Sequence, residues 1–437
     1  MLNKRIFIAA ALLLGWSSYG QNVLTLDNAL SLALEHNHDL HIARLDAEQA
    51  ANSATQGNAG RLPSLTASAG TNYSNQNSNL EFATGQTQDV EGAESLSQNA
   101  SLGLSQVLFA GGRIQRSYQL LNSAKKAADL AQKQAMENTI AQVWSQYTGI
   151  SLLQRTVATA AENFNISKER FDKAQLTNEL GGSNSTDLMA AKVDMNRDKV
   201  ELMEAETQLE SAKNSFAAFI GYQEAFTVSD QTGLNLEEHF DEEKTLEIMR
   251  AGNTALQLAG ISAETARIQQ QLQQATLFPT IAAQASYGLN QSQAEAGFLA
   301  ASQQTGLNAG ISVQYNLFSG FQSRTQRQNA KLEVLKAEHR EAQTQELIEN
   351  TVKNAVRAFN NAAAVAKIES DNAEVANQRM LKVNELYSLG QASSLEQRQA
   401  QLAWLAAENG KSSAQFRAVN AQIALYQLMG TLLITEK

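Results

Sequence analysis

The histidines are the first side chains to consider for chemistry, since imidazole is the commonest metal ligand. His36, His38 and His41 lie close together, and the last two are spaced so that they could share one helix face as metal ligands. No second group of ligands accompanies them, because His239 and His339 are distant in the sequence. We therefore expect a solvated helix face and no metal site.

No set of residues typical of catalysis or of nucleotide binding is present. The absence of cysteine removes thiol nucleophiles, disulfides and thiolate metal sites. The segment Ala110-Gly111-Gly112-Arg113 lacks the Gly-Lys-Ser/Thr of a phosphate-binding loop, and no Gly-x-Ser-x-Gly or Ser/His/Asp arrangement appears. A net charge of −10 argues against a nucleic-acid partner. The sequence predicts a protein that is not an enzyme and needs no cofactor.

Two carboxylates follow matching Leu-Gly pairs. Asp187 stands six residues after the glycine of Leu180-Gly181, and Glu396 stands six residues after the glycine of Leu389-Gly390. Glycine accepts the left-handed conformation that ends a helix, so each pair predicts a turn between helices. An acidic residue in the first turn of the next helix complements the helix dipole and cap, which is a purely local role.

The N-terminus predicts export. Residues 1–5 are basic, residues 6–14 form an apolar run, and Ser18 and Gly20 precede a cut before Gln21, as in a secretory signal peptide of residues 1–20. The run is too short to span a membrane, and no cysteine follows for lipid attachment. The mature chain is then either soluble or crosses a membrane as a β-barrel.

The helices and strands that would position these residues are predicted by a sequence that repeats once along the chain. Leu108-Phe109 recurs after 209 residues as Leu317-Phe318, and Leu180-Gly181 recurs after 209 as Leu389-Gly390. Asn37 and Pro63 recur after 216 residues as Asn253 and Pro279. This spacing predicts two homologous halves, 21–234 and 235–437. In the first half we expect a helix over about 25–60, strands at about 64–74 and 99–109, and helices over 112–178 and 185–220. In the second half we expect a helix over 243–278, strands at about 280–290 and 306–318, and helices over 321–388 and 394–430.

The strands alternate between apolar and small or polar residues over about ten positions, which is typical of membrane-spanning barrel strands. An ordinary sandwich strand with one buried face is the alternative. Four strands cannot close a barrel, so in lipid other copies must complete it, and three copies would give twelve strands. The long helices place Val143, Tyr147 and Ile150 on a seven-residue repeat, which predicts coiled coils.

The duplicated layout resembles the TolC-type outer-membrane efflux proteins. The resemblance rests on Leu24-Thr25-Leu26-Asp27-Asn28-Ala29-Leu30, on Leu62-Pro63-Ser64-Leu65 before the first strand, and on Gly111-Gly112 after the second. It implies a mainly α fold with a β-barrel portion: a trimer whose twelve-stranded barrel lies in outer-membrane lipid and whose helical hairpins form an α-barrel in the periplasm of a Gram-negative bacterium. The implied function is the exit channel of a tripartite efflux or type I secretion system, with a periplasmic adaptor and an inner-membrane pump as partners.

The resemblance also assigns roles to residues at the two turns. Adaptors would dock at the turns, although each turn could simply be a plain helical hairpin. The docking residues are Leu180, Gly181, Gly182, Ser183, Leu389, Gly390, Gln391 and Ala392. Asp187 and Glu396 would form acidic rings at the constriction, which favour cations, and Tyr387 would hold the entrance shut by bonding neighbouring helices. The family often has a second acidic residue where this chain has Ala190 and Gln399, so the acidic girdle is thinner.

A soluble periplasmic coiled-coil adaptor or scaffold is the main alternative function. In that case the four strands would be sandwich strands and would not enter lipid. The lumen residues are generic Asn, Gln and Ser, so drugs, metals, metabolites and polypeptides all remain open as substrates, as does the class of pump.

Overall fold

A computed structural model describes residues 22–180, 185–229, 236–237, 239–297 and 299–432. The expected signal peptide, residues 1–20, lies outside these residues.

Helices and strands alternate along the chain in two similar series. The first series is β1 (Asn22–Leu24), α1 (Leu26–His36), α2 (His38–Ser53), β2 (Ser64–Glu81), β3 (Thr87–Phe109), α3 (Arg113–Glu179) and α4 (Ser185–Ile220). The second is β4 (Phe226–Val228), α5 (Glu242–Gly252), α6 (Thr254–Ala275), β5 (Thr280–Ala294), β6 (Ala301–Gln314), α7 (Gln322–Ser388) and α8 (Ser394–Met429). Within the described part of the chain, no helix carries an apolar stretch long enough to cross a membrane.

The long helices of the two halves have equal lengths. Helices α3 and α7 each contain 67 residues, and α4 and α8 each contain 36. We call α3 with α4 the first hairpin and α7 with α8 the second hairpin. Several residues on the predicted seven-residue repeat of α3 are buried, among them Val143, Tyr147 and Ile150.

The chain divides into two compact units, and each unit takes residues from both halves. Among the described residues, the first unit contains 22–37, 138–180, 185–229, 236–237, 239–241 and 355–426, and the second contains 38–137, 242–297, 299–354 and 427–432. The boundaries of the compact units therefore differ from those of the predicted repeats, 21–234 and 235–437, because long helices of each half run through both units.

Four long strands form one antiparallel sheet in the second unit, in the order β2-β3-β5-β6. Paired residues keep the two faces distinct across all four strands. One row is apolar and consists of Ala67, Leu102, Tyr287 and Leu307; the neighbouring row on the opposite face is small and polar and consists of Ser68, Ser101, Gly288 and Gly306. The apolar face is exposed in the single chain, with Leu307 69% exposed and Tyr287 58% exposed.

The first pair of strands extends beyond its predicted ends. We expect a polar loop after residue 74, but β2 continues to Glu81 and β3 starts at Thr87. The pairing of β3 with β5 stops at Ser95 and Ala294, whereas β2 and β3 stay paired up to Glu81 and Thr87, with a register shift between Gln76 and Ser78. Backbone hydrogen bonds do not depend on apolar side chains, so polar composition alone did not indicate where the ladder ends.

In the other strand pair, β5 starts at Thr280 as predicted and continues to Ala294, but β6 is shifted relative to its prediction. Strand β6 starts at Ala301 and ends at Gln314, whereas the alternation predicts 306–318. Apolar residues continue past Gln314, and they lead into the turn before α7, where Gly320 has a φ of 60°. The pattern therefore could not mark the end of the ladder.

The helices before the strands are interrupted, which differs from the prediction of one helix over 25–60 and one over 243–278. Asn37 separates α1 from α2, and Asn253 separates α5 from α6; both have extended backbones, with ψ of 121° and 117°. The side chain of Asn253 accepts a hydrogen bond of 2.9 Å from the backbone N–H of Leu256 and so caps α6. A cap requires the helix to restart at this residue.

A short parallel ladder joins β1 to β4, and the sequence did not indicate it. Asn22 pairs with Phe226, and Leu24 pairs with Val228. The buried Tyr147 hydroxyl of α3 donates a hydrogen bond of 2.9 Å to the carbonyl oxygen of Leu24. This contact ties the beginning of the described chain to the long helix within the first unit.

Candidate functional site

The turn of the second hairpin is built by its glycine. Gly390 has a φ of 72°, and its N–H donates to the Tyr387 carbonyl at 3.1 Å, while the N–H of Gln391 donates to the Leu386 carbonyl at 2.8 Å. This bonding pattern is the Schellman motif, which satisfies the last carbonyls of a helix. The motif leaves Leu389 65% exposed at the turn. In the first hairpin, Leu180 is exposed as well, and Gly181, Gly182 and Ser183 lie outside the described residues.

Glu396 closes the first turn of α8. Its carboxylate accepts hydrogen bonds of 2.8 Å from both the backbone N–H and the hydroxyl of Ser393, and the Ser393 hydroxyl accepts one of 3.2 Å from the N–H of Glu396. This reciprocal arrangement is a capping box. The backbone and side-chain hydrogen bonds from Ser393 hold the pKa of Glu396 below its usual range. The structure therefore gives Glu396 a local role, and Asp187 is exposed in the first turn of α4.

Tyr387 contacts the first hairpin through Lys173. The Lys173 ammonium lies 4.1 Å from the centre of the Tyr387 ring and donates a hydrogen bond of 2.6 Å to the Tyr387 carbonyl. Burial raises the pKa of Tyr387, against the charge of Arg170 and a hydrogen bond from Ser394. A cation over an aromatic face is attracted to it. Near the turn, this contact links α3 to α7.

Two arginines and two aspartates join the hairpins further from the turn. We call Arg170 of α3, Asp194 and Asp198 of α4, and Arg398 of α8 the ion-pair cluster. Arg398 donates two parallel hydrogen bonds to Asp198, of 2.7 and 2.9 Å, and Arg170 donates one of 2.7 Å to Asp194. The side chains of Asp198, Arg170 and Arg398 are 1%, 2% and 8% exposed.

Neutral polar groups complete this cluster. Ser167 donates to Asp198, and the Gln401 amide donates to the Ser167 hydroxyl at 2.9 Å and to the Asn163 carbonyl at 2.8 Å. Burial alone would raise the pKa of Asp198, but hydrogen bonds from Arg398 and Ser167 and the charge of Arg398 outweigh burial and leave this pKa below its usual value. Asp198 is therefore held as a carboxylate inside the protein.

The ion-pair cluster was not predicted from the sequence, although a signal was present. Asp198 lies seven residues after Ala191 and seven before Ala205, and all three are buried in α4. A charged residue on the buried stripe of a coiled coil requires a partner on the facing helix. The partner could not be chosen from the sequence, since Arg398 is 200 residues away.

The histidines do not form a site with one another. The side chains of His36, His38 and His41 are exposed. In the parts of the chain that the structure describes, no three or more His, Asp or Glu residues are placed so that they could hold a metal ion.

Comparison with known proteins identifies the family. The family model described as outer membrane efflux protein matches residues 29–222 and 245–431. The chain belongs to this family. None of the curated proteins compared with the sequence matches it.

Solved structures of outer-membrane channels share the fold. CmeC of Campylobacter jejuni has a TM-score of 0.76 at 16% identity, over 93% of this chain and 85% of that one. VceC of Vibrio cholerae has a TM-score of 0.72 at 18% identity, over 93% and 96% of the two chains. MtrE of Neisseria gonorrhoeae, solved in an open state, has a TM-score of 0.72 at 19% identity, over 93% and 88%.

Membership of the family confirms the main predictions of class and location. The protein is an outer-membrane efflux channel with a mainly helical fold and a β-sheet portion. Its family is one of channels and not of enzymes. The soluble adaptor, which was the alternative, is not supported.

Proposed function

We propose that three copies of this chain form one exit duct, in which twelve strands cross the outer membrane and the helical hairpins extend into the periplasm. The duct passes substrates from a periplasmic adaptor and an inner-membrane pump to the outside. The observation that carries the proposal is a sheet whose four-stranded part has no charged side chain and whose edge strands, β2 and β6, have no further strand partner among the described residues.

The four-stranded part of the sheet is suited to lipid. Residues 64–74, 95–109, 280–294 and 301–314 contain no charged side chain. Eleven to fifteen residues at about 3.3 Å each cover a bilayer when the strands are tilted. Strands β2 and β6 stand at the edges of the sheet, and unpaired backbone groups are costly in hydrocarbon. Pairing between copies satisfies these edges.

In this arrangement one face of the sheet contacts lipid and the other contacts water. The row that contains Leu102, Tyr287 and Leu307 faces the lipid, where the exposed apolar side chains that it shows in the single chain are buried. The opposite face, with Ser68 and Ser101, lines the water-filled lumen. The two serine hydroxyls lie 2.8 Å apart and share a hydrogen bond.

The turns of the two hairpins form the periplasmic entrance. Leu389 and Leu180 are exposed apolar residues that an adaptor would cover, and Gly390, Gln391 and Ala392 shape the second turn. Gly181, Gly182 and Ser183, which lie outside the described residues, are proposed as docking residues from their place in the sequence. Tyr387 holds the entrance shut through its contact with Lys173. Asp187 and Glu396 form acidic rings that favour cations, and Glu396 serves the capping box at the same time.

The duct is tested with purified protein in planar bilayers. We expect chemical crosslinking in detergent to stop at trimers and single channels to be cation-selective. A product that stops at dimers, or a purified protein that never conducts, contradicts the proposed assembly. Crosslinking in cells followed by affinity purification then identifies the adaptor at the turns.

The gate is tested by a matched pair of lysine variants. Lys173→Gln removes the charge over the Tyr387 ring, whereas Lys192→Gln removes an exposed charge from α4. We expect higher resting conductance for Lys173→Gln and wild-type conductance for Lys192→Gln. Equal conductance in both variants would show that Tyr387 does not hold the entrance shut.

A further inference from the structure

The Lys173–Tyr387 contact and the ion-pair cluster, which both join the two hairpins, differ in how readily they can be broken. The contact of Lys173 with Tyr387 consists of one cation over a ring and one hydrogen bond to a carbonyl near the turn, between an exposed lysine and a half-buried tyrosine. Water can replace both interactions when the residues separate, because the Lys173 ammonium is readily hydrated. This contact is therefore suited to repeated opening.

The ion-pair cluster is not suited to opening. Separating α8 from α4 would break both bonds between Arg398 and Asp198, and three of the four charged side chains are at least 90% buried. A buried charge that loses its partner is strongly unfavourable. Ser167 would also lose the hydrogen bonds that it accepts from Arg398 and Gln401, and Gln401 would lose those that it donates to Ser167 and Asn163.

The cluster holds one helix of the second hairpin to both helices of the first. Arg398 is the fifth residue of α8, and Asp198 is the fourteenth residue of α4. Arg170 lies on α3, nine residues before that helix ends at Glu179. At 1.5 Å per residue, Asp198 is about 20 Å from the start of α4, and Arg398 is about 6 Å from the start of α8. The part of the second hairpin beyond the cluster is therefore short.

We propose that the ion-pair cluster is a fixed clamp and that the entrance opens only beyond it, through movement of the end of α7 and the turn at residues 387–393. In this arrangement Arg398 keeps the start of α8 on the first hairpin in both the closed and the open channel. The proposal rests on the proposed function, since it assumes that the turns form the entrance.

Pairs of spin labels distinguish movement at the clamp from movement at the turn. The chain has no cysteine, so cysteines can be placed freely. The clamp pair is Lys192→Cys on α4 with Leu402→Cys on α8, and the turn pair is Leu176→Cys on α3 with Leu389→Cys; all four positions are exposed. Labelled chains are diluted with unlabelled chains so that distances are measured within one chain.

Each pair is measured with Lys173 and Tyr387 intact and again in a Lys173→Gln, Tyr387→Phe background. We expect a longer distance for the turn pair and an unchanged distance for the clamp pair. A clamp pair that lengthens together with the turn pair overturns the proposal, because the cluster would then open. Unchanged distances in both pairs, with raised conductance, overturn it as well.

If the Lys173→Gln, Tyr387→Phe background does not raise conductance, that result counts against the proposed gate and not against the clamp. The clamp is then tested with a second variant. Asp198→Asn breaks the cluster, and we expect it to broaden the distances of the clamp pair. Arg398→Lys, which keeps the charge but loses the paired donors, is used if Asp198→Asn does not fold. Glu210→Gln on the same helix is the control and leaves the distances narrow. A clamp pair that stays narrow in the cluster variant shows that the cluster does not hold α8.

Discussion

Asp198→Asn is expected to lower the stability of the helical hairpins more than any surface substitution on α4. The carboxylate is 1% exposed and accepts two hydrogen bonds from Arg398 and one from Ser167. The asparagine amide presents an NH₂ group to one guanidinium nitrogen, and Arg398 stays buried without its nearest counter-charge, keeping only Asp194 at 3.6 Å from its Nε. Removing one partner of a buried ion pair costs about 3–5 kcal/mol. The loss is measured as the change in free energy of unfolding, from denaturant titrations followed by circular dichroism at one protein concentration in detergent.

The control for this prediction is an exposed ion pair on the same helix. Glu210 is 64% exposed and lies 2.9 Å from Lys213, and such pairs contribute about 0.5 kcal/mol or less. If Asp198→Asn costs no more than Glu210→Gln, the reasoning about the buried cluster is wrong.

The stability difference between the wild type and Asp198→Asn also has a defined pH dependence. The pKa of Asp198 is lowered in the folded protein, so its stabilising effect is complete above the carboxyl pKa of the unfolded chain, about 3.9. The effect is lost as the pH falls from there through the lower folded value. We therefore expect the wild type and Asp198→Asn to approach each other in stability only below about pH 4. A difference that already disappears near neutral pH refutes this account.

Three further substitutions test other parts of the structure, each by the change in unfolding free energy. Glu396→Ala removes the capping box with Ser393 and should lower the unfolding free energy, by less than Asp198→Asn does; no loss would mean that the box does not hold α8 in solution. Burial raises the pKa of Glu137 above its usual value, so ionisation destabilises the fold as the pH rises past the unfolded value of about 4.3. Glu137→Gln should therefore be at least as stable as the wild type at pH 7, and a clear loss would contradict this sign. A Cβ on Gly252 would lie 2.3 Å from the Met429 carbonyl oxygen, so Gly252→Ala should cost about 1–3 kcal/mol, whereas Gly149→Ala, whose nearest neighbour is 3.7 Å away, should cost nothing.

The sequence was most informative where one residue type decides the backbone. Each Leu-Gly pair predicts a turn, and the helices after the pairs begin at Ser185 and Ser394. The positive φ of Gly390 shows why glycine marks this turn. Alternation likewise indicated the apolar face that contains Leu102 and Tyr287, because successive strand residues must point to opposite faces.

The sequence was less informative where a long-range partner decides the structure. The Asn253 cap could have been suspected, since Asn37 recurs in the second half, but a lone asparagine in a helix-forming stretch is a weak signal. The pairing of Asp198 with Arg398 depends on which faces of α4 and α8 meet. Periodicity predicts a face but does not identify its partner.

The paired strands β2 and β3 extend several residues past the rest of the sheet, up to the turn at residues 82–86. Residues 75–81 of β2 and 87–93 of β3 pair only with each other among the described strands, and we call this two-stranded part the ribbon. Its carboxylates at Glu81, Asp89 and Glu91 discourage other strands from adding to it. Gly85 at its end has a φ of 79°, and a Cβ at this position would meet no atom within 4 Å. In the proposed orientation the ribbon projects from the cell surface, so its tip is a place where an epitope or a reporter peptide can be inserted and detected on living cells without disturbing the membrane-embedded strands.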